Sequence, residues 1–356
     1  MRRFCFIGTA ALAGALCAQQ TTQNTTSYTI DVNGRRVESS VASHASTPSA
    51  SQRSQTTRSI NGRNVPLETT DDKVISQDAR GNKTVERTVR RFDQNGNPGP
   101  AERVRIEEKV NSDGSKTIQT TLFREDINGR PQLAERETTQ VRESGPTTQT
   151  TVSVERSTIN GALELVQKAS AIERKTSNGS TLESTVYKRD LNGSFNPAAS
   201  ERINRTKQGN AETVDSNVYE LGPDNKLTLS KRMVGTITTK SDGSQVEQLD
   251  VYSTKTGPVT IDANANGPRL QQQVLRERQV KSDGTVVEVT SVRDRLPSDP
   301  SRFGNYERVA ETTIVSTDAS GRKVTQSSRD VERRDPNGEV KPAENTATTV
   351  ITVPKR

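Results

Sequence analysis

Cysteine, histidine, tryptophan and long apolar runs are all scarce in this chain, and each scarcity removes a class of function. Among the 356 residues there are two cysteines, Cys5 and Cys17, both near the amino terminus. Beyond them no disulfide staples the chain and no thiolate serves as nucleophile or metal ligand. The only histidine, His44, sits in the polar stretch Ser43-His44-Ala45-Ser46. No histidine is then left downstream for a catalytic triad, a zinc site or a general base. Tryptophan is absent, aromatics make up 3% and hydrophobic residues 28%. That is little apolar surface to set against the ordering entropy of the backbone, so a compact enzyme with a deep core is not expected. No glycine-rich phosphate loop stands between a strand and a helix, and nothing singles out two carboxylates as a glycoside-cleaving pair. The sequence therefore predicts a protein that is not an enzyme, with no catalytic residues, no cofactor and no metal.

What charge there is comes mixed. The chain has 51 Lys and Arg against 44 Asp and Glu, a net charge of +7, with opposite signs adjacent in Glu102-Arg103, Glu135-Arg136 and Glu201-Arg202. Such interspersion predicts a solvated surface and no nucleic-acid partner, which would need a concentrated basic face.

The amino terminus reads Met1-Arg2-Arg3, then an apolar stretch from Phe4 to Leu16, then small residues and Gln19-Gln20. A cationic start, a dozen apolar residues and a small-residue exit predict a secretory signal peptide over residues 1–18, cut after Ala18. The Ala13-Gly14-Ala15 pattern offers an earlier cut. Lipidation of Cys17 would need Gly or Ala where Leu16 stands. No later apolar run is long enough for a membrane helix. The expected location is periplasmic, extracellular or at the cell surface, by the general secretory route.

Internal repetition is the strongest feature of the rest. One turn recurs as Ser112-Asp113-Gly114-Ser115, Ser177-Asn178-Gly179-Ser180, Ser241-Asp242-Gly243-Ser244 and Ser282-Asp283-Gly284-Thr285, with looser copies at Gly81, Gly145, Gly209 and Gly321. The period is about 32 residues. A second turn alternates with it, at Asp93-Gln94-Asn95-Gly96, Asp126-Ile127-Asn128-Gly129, Asp190-Leu191-Asn192-Gly193 and Asp335-Pro336-Asn337-Gly338. Four residues past the second glycine, Pro66, Pro100, Pro197 and Pro342 form a column, often with Ala next. Asn-Gly and Asp-Gly supply the positive φ that tight chain reversals need, and the segments between them are rich in β-branched Thr and Val.

These signals predict an all-β fold: tandem β-hairpin repeats over 59–356, about eight repeats and 16 strands. They would form an elongated, twisted antiparallel meander, single-layered or solenoid-like. Residues 19–58, rich in Thr, Ser, Gln and Ala, read as a flexible linker. Tyr28 to Arg35 and Val186 to Gly193 resemble the tyrosine-aspartate repeats of large secreted shell-forming proteins, and the resemblance covers the turn.

An outer-membrane barrel requires apolar residues at alternate strand positions and aromatic girdles at both ends. Charged and amide side chains on both faces, and a carboxyl end reading Val353-Pro354-Lys355-Arg356, argue against it. The chain is thus expected not to be an integral membrane protein.

The candidate ligand-binding residues are aromatic. Phe92, Phe123, Tyr187, Tyr219 and Tyr252 recur eight to eleven residues after the first-type glycines and would line up along a sheet. Two long insertions break the period, one containing 257–267 and one Pro-rich near residue 300. Asp262-Ala263-Asn264-Ala265-Asn266-Gly267 opens like a calcium loop, but Gln273 stands where the bidentate Glu is required. The function expected from all this is a structural or adhesive scaffold at the cell exterior. The alternative is a glycan- or peptide-binding module using the aromatic stripe or the 257–267 insertion. Its partner would be a surface protein or polysaccharide.

Overall fold

The computed structural model describes residues 20–30, 36–46, 51–60, 63–126, 128–222, 224–254, 268–296, 299–335 and 338–353. They form one antiparallel meander of twenty strands. In order these are β1 (Gln20–Ile30), β2 (Arg36–Ser46), β3 (Ser51–Ile60), β4 (Arg63–Gln77), β5 (Lys83–Phe92), β6 (Pro98–Val110), β7 (Lys116–Glu125), β8 (Pro131–Ser144), β9 (Thr147–Ser157) and β10 (Leu163–Thr176). The second half continues as β11 (Gly179–Arg189), β12 (Phe195–Gln208), β13 (Ala211–Leu221), β14 (Leu227–Thr239), β15 (Gln245–Ser253), β16 (Arg269–Val280), β17 (Val286–Leu296), β18 (Asp299–Thr317), β19 (Lys323–Arg334) and β20 (Val340–Val353). No helix occurs among the described residues.

The all-β meander agrees with the sequence, and the region after residue 58 holds β4 to β20, close to the expected strand number. Two expectations are corrected. The segment 19–58 is not a linker in this structure: it supplies β1, β2 and β3, and His44 lies in β2. Polar β-branched residues suit a strand whose neighbours satisfy its backbone, whatever their hydropathy. Nor is the sheet elongated or solenoid-like. β1 pairs with β20 in continuous register from Gln20 opposite Val353 to Thr29 opposite Glu344, so the meander closes into a barrel. Closure removes both open edges, which a long meander would otherwise leave unpaired. The signal-peptide segment and the 257–267 insertion lie outside the described residues.

The repeated glycines do what their sequence context requires. At Asp93 the backbone N–H donates to Asn97 O at 3.0 Å, and Gly96 N–H returns to Asp93 O at 3.2 Å. Gly96 has φ +83°. This is a type I turn closed by a left-handed bulge. The Asp93 carboxylate locks it, its Oδ1 accepting the N–H groups of Asn95 at 2.8 Å and Asn97 at 2.9 Å. Gly179 departs from the pattern: it begins β11, and the reversal before it uses Ser177 and Asn178 alone.

Each repeat also carries a β-bulge. Register skips between Leu122 and Phe123, Val186 and Tyr187, Val218 and Tyr219, and Val251 and Tyr252 place one extra residue on the strand that follows: Ala134, Ala198, Ser230 and Gln271. The same skip recurs between Val331 and Glu332, opposite Ala343. The Pro-Ala column of the sequence is therefore the bulge column. Proline, lacking an N–H, is tolerated where a ladder bond is already interrupted.

Candidate functional site: the barrel wall, its lumen and one rim

Two rims bound the barrel. The terminal rim holds both ends of the described chain, Gln20 and Val353, and the turns at Gly81, Gly114, Gly243, Gly284 and Gly321. The distal rim holds the turns at Gly96, Gly129, Gly161, Gly193 and Gly338, with the bulges just beneath them. Described turns at both rims are short, and no described segment folds across the opening.

Which face is inward follows from register and chirality. Partners traced from Thr21 through Ser46, Gln52, Asp72, Arg87, Val104, Leu122 and Glu135 to Arg156 climb from the terminal rim to the distal one. Strands in a closed sheet incline in the right-handed sense set by their twist. Successive strands therefore run leftward when the barrel is seen from outside with the terminal rim below. Asn111 N–H donates to Ser115 O at 2.8 Å, so Asn111 and every second residue before it aim their backbone groups at β7. For an L residue in that position the side chain points outward. Arg103, Arg105, Glu107 and Lys109 are thus on the outer face, with Val104, Ile106 and Val110 on the inner.

Propagated through the register, the inner face carries most of the aliphatics. Four of the five buried apolar residues described, Val154, Ala169, Val251 and Val331, are on it, and the fifth, Ala101, is on the outer face just below the distal rim. A concave wall crowds its side chains, which explains why the smallest apolar types collect there. Charges on this face are compensated across strands. Arg276 meets Glu247 at 2.7 Å and Glu288 at 3.4 Å, Arg329 meets Glu311 at 3.0 Å, and Arg333 meets Glu307 at 2.8 Å. The outer face carries Thr, Ser and Gln with ion pairs of its own, such as Arg232 with Asp215 at 2.9 Å. No second layer covers either face: the accessible area of 23768 Å² compares with about 14,000 Å² for a compact protein of this mass.

All five sequence-predicted aromatics lie on the outer face at the distal rim. Phe92 pairs with Pro98, Phe123 with Leu133, Tyr187 with Pro197, Tyr219 with Leu229 and Tyr252 with Leu270, each pair sitting at a bulge. The structure adds Phe195, under the Lys168 ammonium at 4.6 Å, and Phe303, under the Arg295 guanidinium at 5.2 Å. Sequence reasoning passed over both because they follow the second turn instead of the first. Beside Tyr187 a shallow hollow is lined by Thr138, Gln140, Ser153, Lys168 and Ser170. No group of three or more His, Cys, Asp or Glu suited to a metal occurs among the described residues.

No protein-family model matches the chain, and no curated relative does. Solved structures do. The barrel is similar to Pseudomonas aeruginosa OccK8 (OprE), with a TM-score of 0.52 at 10% identity, over 94% of this chain and 97% of that one. It is also similar to P. aeruginosa OccK3 (OpdO), with a TM-score of 0.50 at 10% identity, over 94% and 95%. These are outer-membrane porin barrels. The fold is theirs.

That likeness and the closed ring overturn two further expectations. An adhesive scaffold or a glycan- or peptide-binding module, with a surface protein or polysaccharide as partner, is not what this fold's solved neighbours are: they are channels. The expectation that the chain is not an integral membrane protein is likewise corrected, since the neighbours are integral membrane barrels. The sequence argument failed on closure, because no local pattern encodes the pairing of β1 with β20.

Proposed function

We propose that this protein is a channel of the bacterial outer membrane, non-enzymatic, reached by export. The observation that carries the reading is the seam between β1 and β20, which turns a sheet into a tube. Twenty strands at ~4.8 Å spacing, inclined by ~40°, set opposite walls about 40 Å apart. Side chains cannot fill such an interior, and sixteen strands already leave an aqueous channel. The OccK8 and OccK3 likeness supports the same reading. With cations and carboxylates paired along the inner face, the lumen presents a balanced charge and the pore discriminates weakly between anions and cations.

The test is current through a planar lipid bilayer. Purified protein should give stepwise, long-lived conductance increments with a reversal potential near zero in a salt gradient. A folded protein, verified by its strand circular dichroism, that never carries current would overturn the proposal.

A further inference from the structure

We infer that the distal rim is a docking surface for a second copy of this chain, the two barrels meeting rim to rim through apolar turn tips. The inference rests on the closed-ring reading and not on conduction. Ile159 and Leu191 stand fully in solvent, more exposed than any other large apolar side chain described. Both take the second place of a distal turn: Gly161 N–H donates to Thr158 O at 2.9 Å, and Gly193 N–H to Asp190 O at 3.1 Å. On the next distal turn Leu221 ends β13, itself exposed. Three consecutive turns thus present an apolar arc.

The turns do not need these side chains. The Asp190 turn is locked by its carboxylate, whose Oδ1 accepts the N–H groups of Asn192 and Ser194, both at 2.9 Å. Gln94 holds the same place in the Asp93 turn, which closes with the same hydrogen bonds. In the turns of this type at the terminal rim, that place is Ala79, Ser112, Ser241, Ser282 and Ala319. The sequence itself sets Val32, Ile60 and Ile127 before Asn-Gly in the manner of Ile159 and Leu191. Large aliphatic tips held in water at one rim, with small tips at the other, mark the distal rim as a contact surface.

Three features name a second copy as the occupant. Neighbouring distal turns are two strands apart, about 12 Å around the rim. A partner that engages the whole arc must offer apolar groups at that spacing along the same curve, and a facing copy does so by construction, its tips entering the gaps between these. The cations beside the turns are already neutralised, Arg189 by Glu164 at 2.9 Å and Lys341 by Asp335 at 2.7 Å, so like rims can approach without net repulsion. Large aliphatic tips occur at one rim only among the described turns. The contact therefore pairs like with like about a two-fold axis in the rim plane, and it closes at two copies instead of running on into a filament. The two lumens are then coaxial, and the pair is one longer conduit open at its two terminal rims.

The test is sedimentation velocity of the purified full chain in a mild non-ionic detergent over a concentration series, with electron micrographs of the same samples. The expected result is a concentration-dependent dimer that high salt does not disperse, seen as particles joined end to end. Ile159→Gln with Leu191→Gln, which copies the Gln94 turn, should weaken pairing about tenfold or more while keeping the strand circular dichroism. Under oxidation Asn160→Cys should crosslink one copy to another, and Asp242→Cys, at the terminal rim, should not. A native protein that stays monomeric throughout the series would overturn the inference, and so would a folded glutamine variant that pairs as well as native, or particles joined side by side. Tips that bind vesicles of phosphatidylethanolamine and phosphatidylglycerol, with no pairing in solution, would assign the rim to a lipid surface and overturn it too. Should the glutamine variant not fold, the two cysteine variants decide. Pairing without current keeps the docking rim and removes the channel; current without pairing does the reverse.

Discussion

The inner and outer faces of this wall are made by alternate residues of the same strands, yet they obey different rules. Inside, curvature brings side chains together and Val331 is 1% exposed; at Gly235 the neighbouring strand's Gln248 O and Leu249 Cδ2 leave no room for a β-carbon. Outside, curvature spreads them, and hydroxyls and ion pairs suffice except at the distal rim. A barrel wall one residue thick still has a packed side and an open side, and polar composition alone does not show which is which.

The steepest test of that asymmetry is Gly235→Val. A β-carbon there would meet Gln248 O and Leu249 Cδ2 in contact closer than side chains adopt. Overpacking of this kind costs about 1–3 kcal/mol, visible as a lower melting temperature. A paired comparison sharpens it: Val331→Ala on the inner face should cost about 2 kcal/mol, whereas Val324→Ala on the outer face of the same strand should change stability by about 0.5 kcal/mol or less. Equal losses in a denaturant titration would refute the assignment of faces.

The turns predict a pH effect common to both rims. The Asn82 side chain holds the Asp78 carboxyl below its ordinary value, the Asn97 side chain does the same for Asp93, and hydrogen bonds from Ser244 and Thr285 do so for Asp242 and Asp283. Folding therefore lowers these pKa values. Their stabilisation is complete above the unfolded carboxylate value of ~3.9 and is lost as pH falls through the lowered folded values. Melting temperature should be flat from neutral pH to about 5 and then decline. Asp93→Asn, which keeps the turn-capping oxygen without the titration, should soften that decline.

The smallest effect is electrical. Arg276 bridges Glu247 and Glu288 on the inner face, so Arg276→Ala leaves two carboxylates uncompensated. The expected outcome is a shift of reversal potential by a few millivolts toward cation preference, with conductance nearly unchanged. No shift would place that ladder away from the lumen.

Much of this architecture was legible. The glycine period marked the hairpins, since only a residue at ease with positive φ fits the Gly96 position. The five predicted aromatics did share a face and a height. Three things were not legible, each for a physical reason. Register between β1 and β20 depends on residues more than three hundred positions apart, and no local pattern encodes it. Strands β1 to β3 are as polar as a linker, yet pairing with a neighbour on each side satisfies their backbones. The Pro-Ala column was visible, but one extra residue per repeat reads as a loop until the partner strand is known.

The seam between β1 and β20 also sets the order in which the molecule can assemble. Hairpins of neighbouring strands can zip as soon as they exist, but the ring has no closing partner until its last strand is present, so loop closure across the whole chain comes last and slowly. Until then two unpaired edges persist, each a template for the wrong neighbour. A ring of nearly equivalent repeats has, in addition, several near-equal ways to close. A chain built this way is open to wrong pairing until its last strand arrives, and its misassembly products should be rings of the wrong circumference before they are tangles.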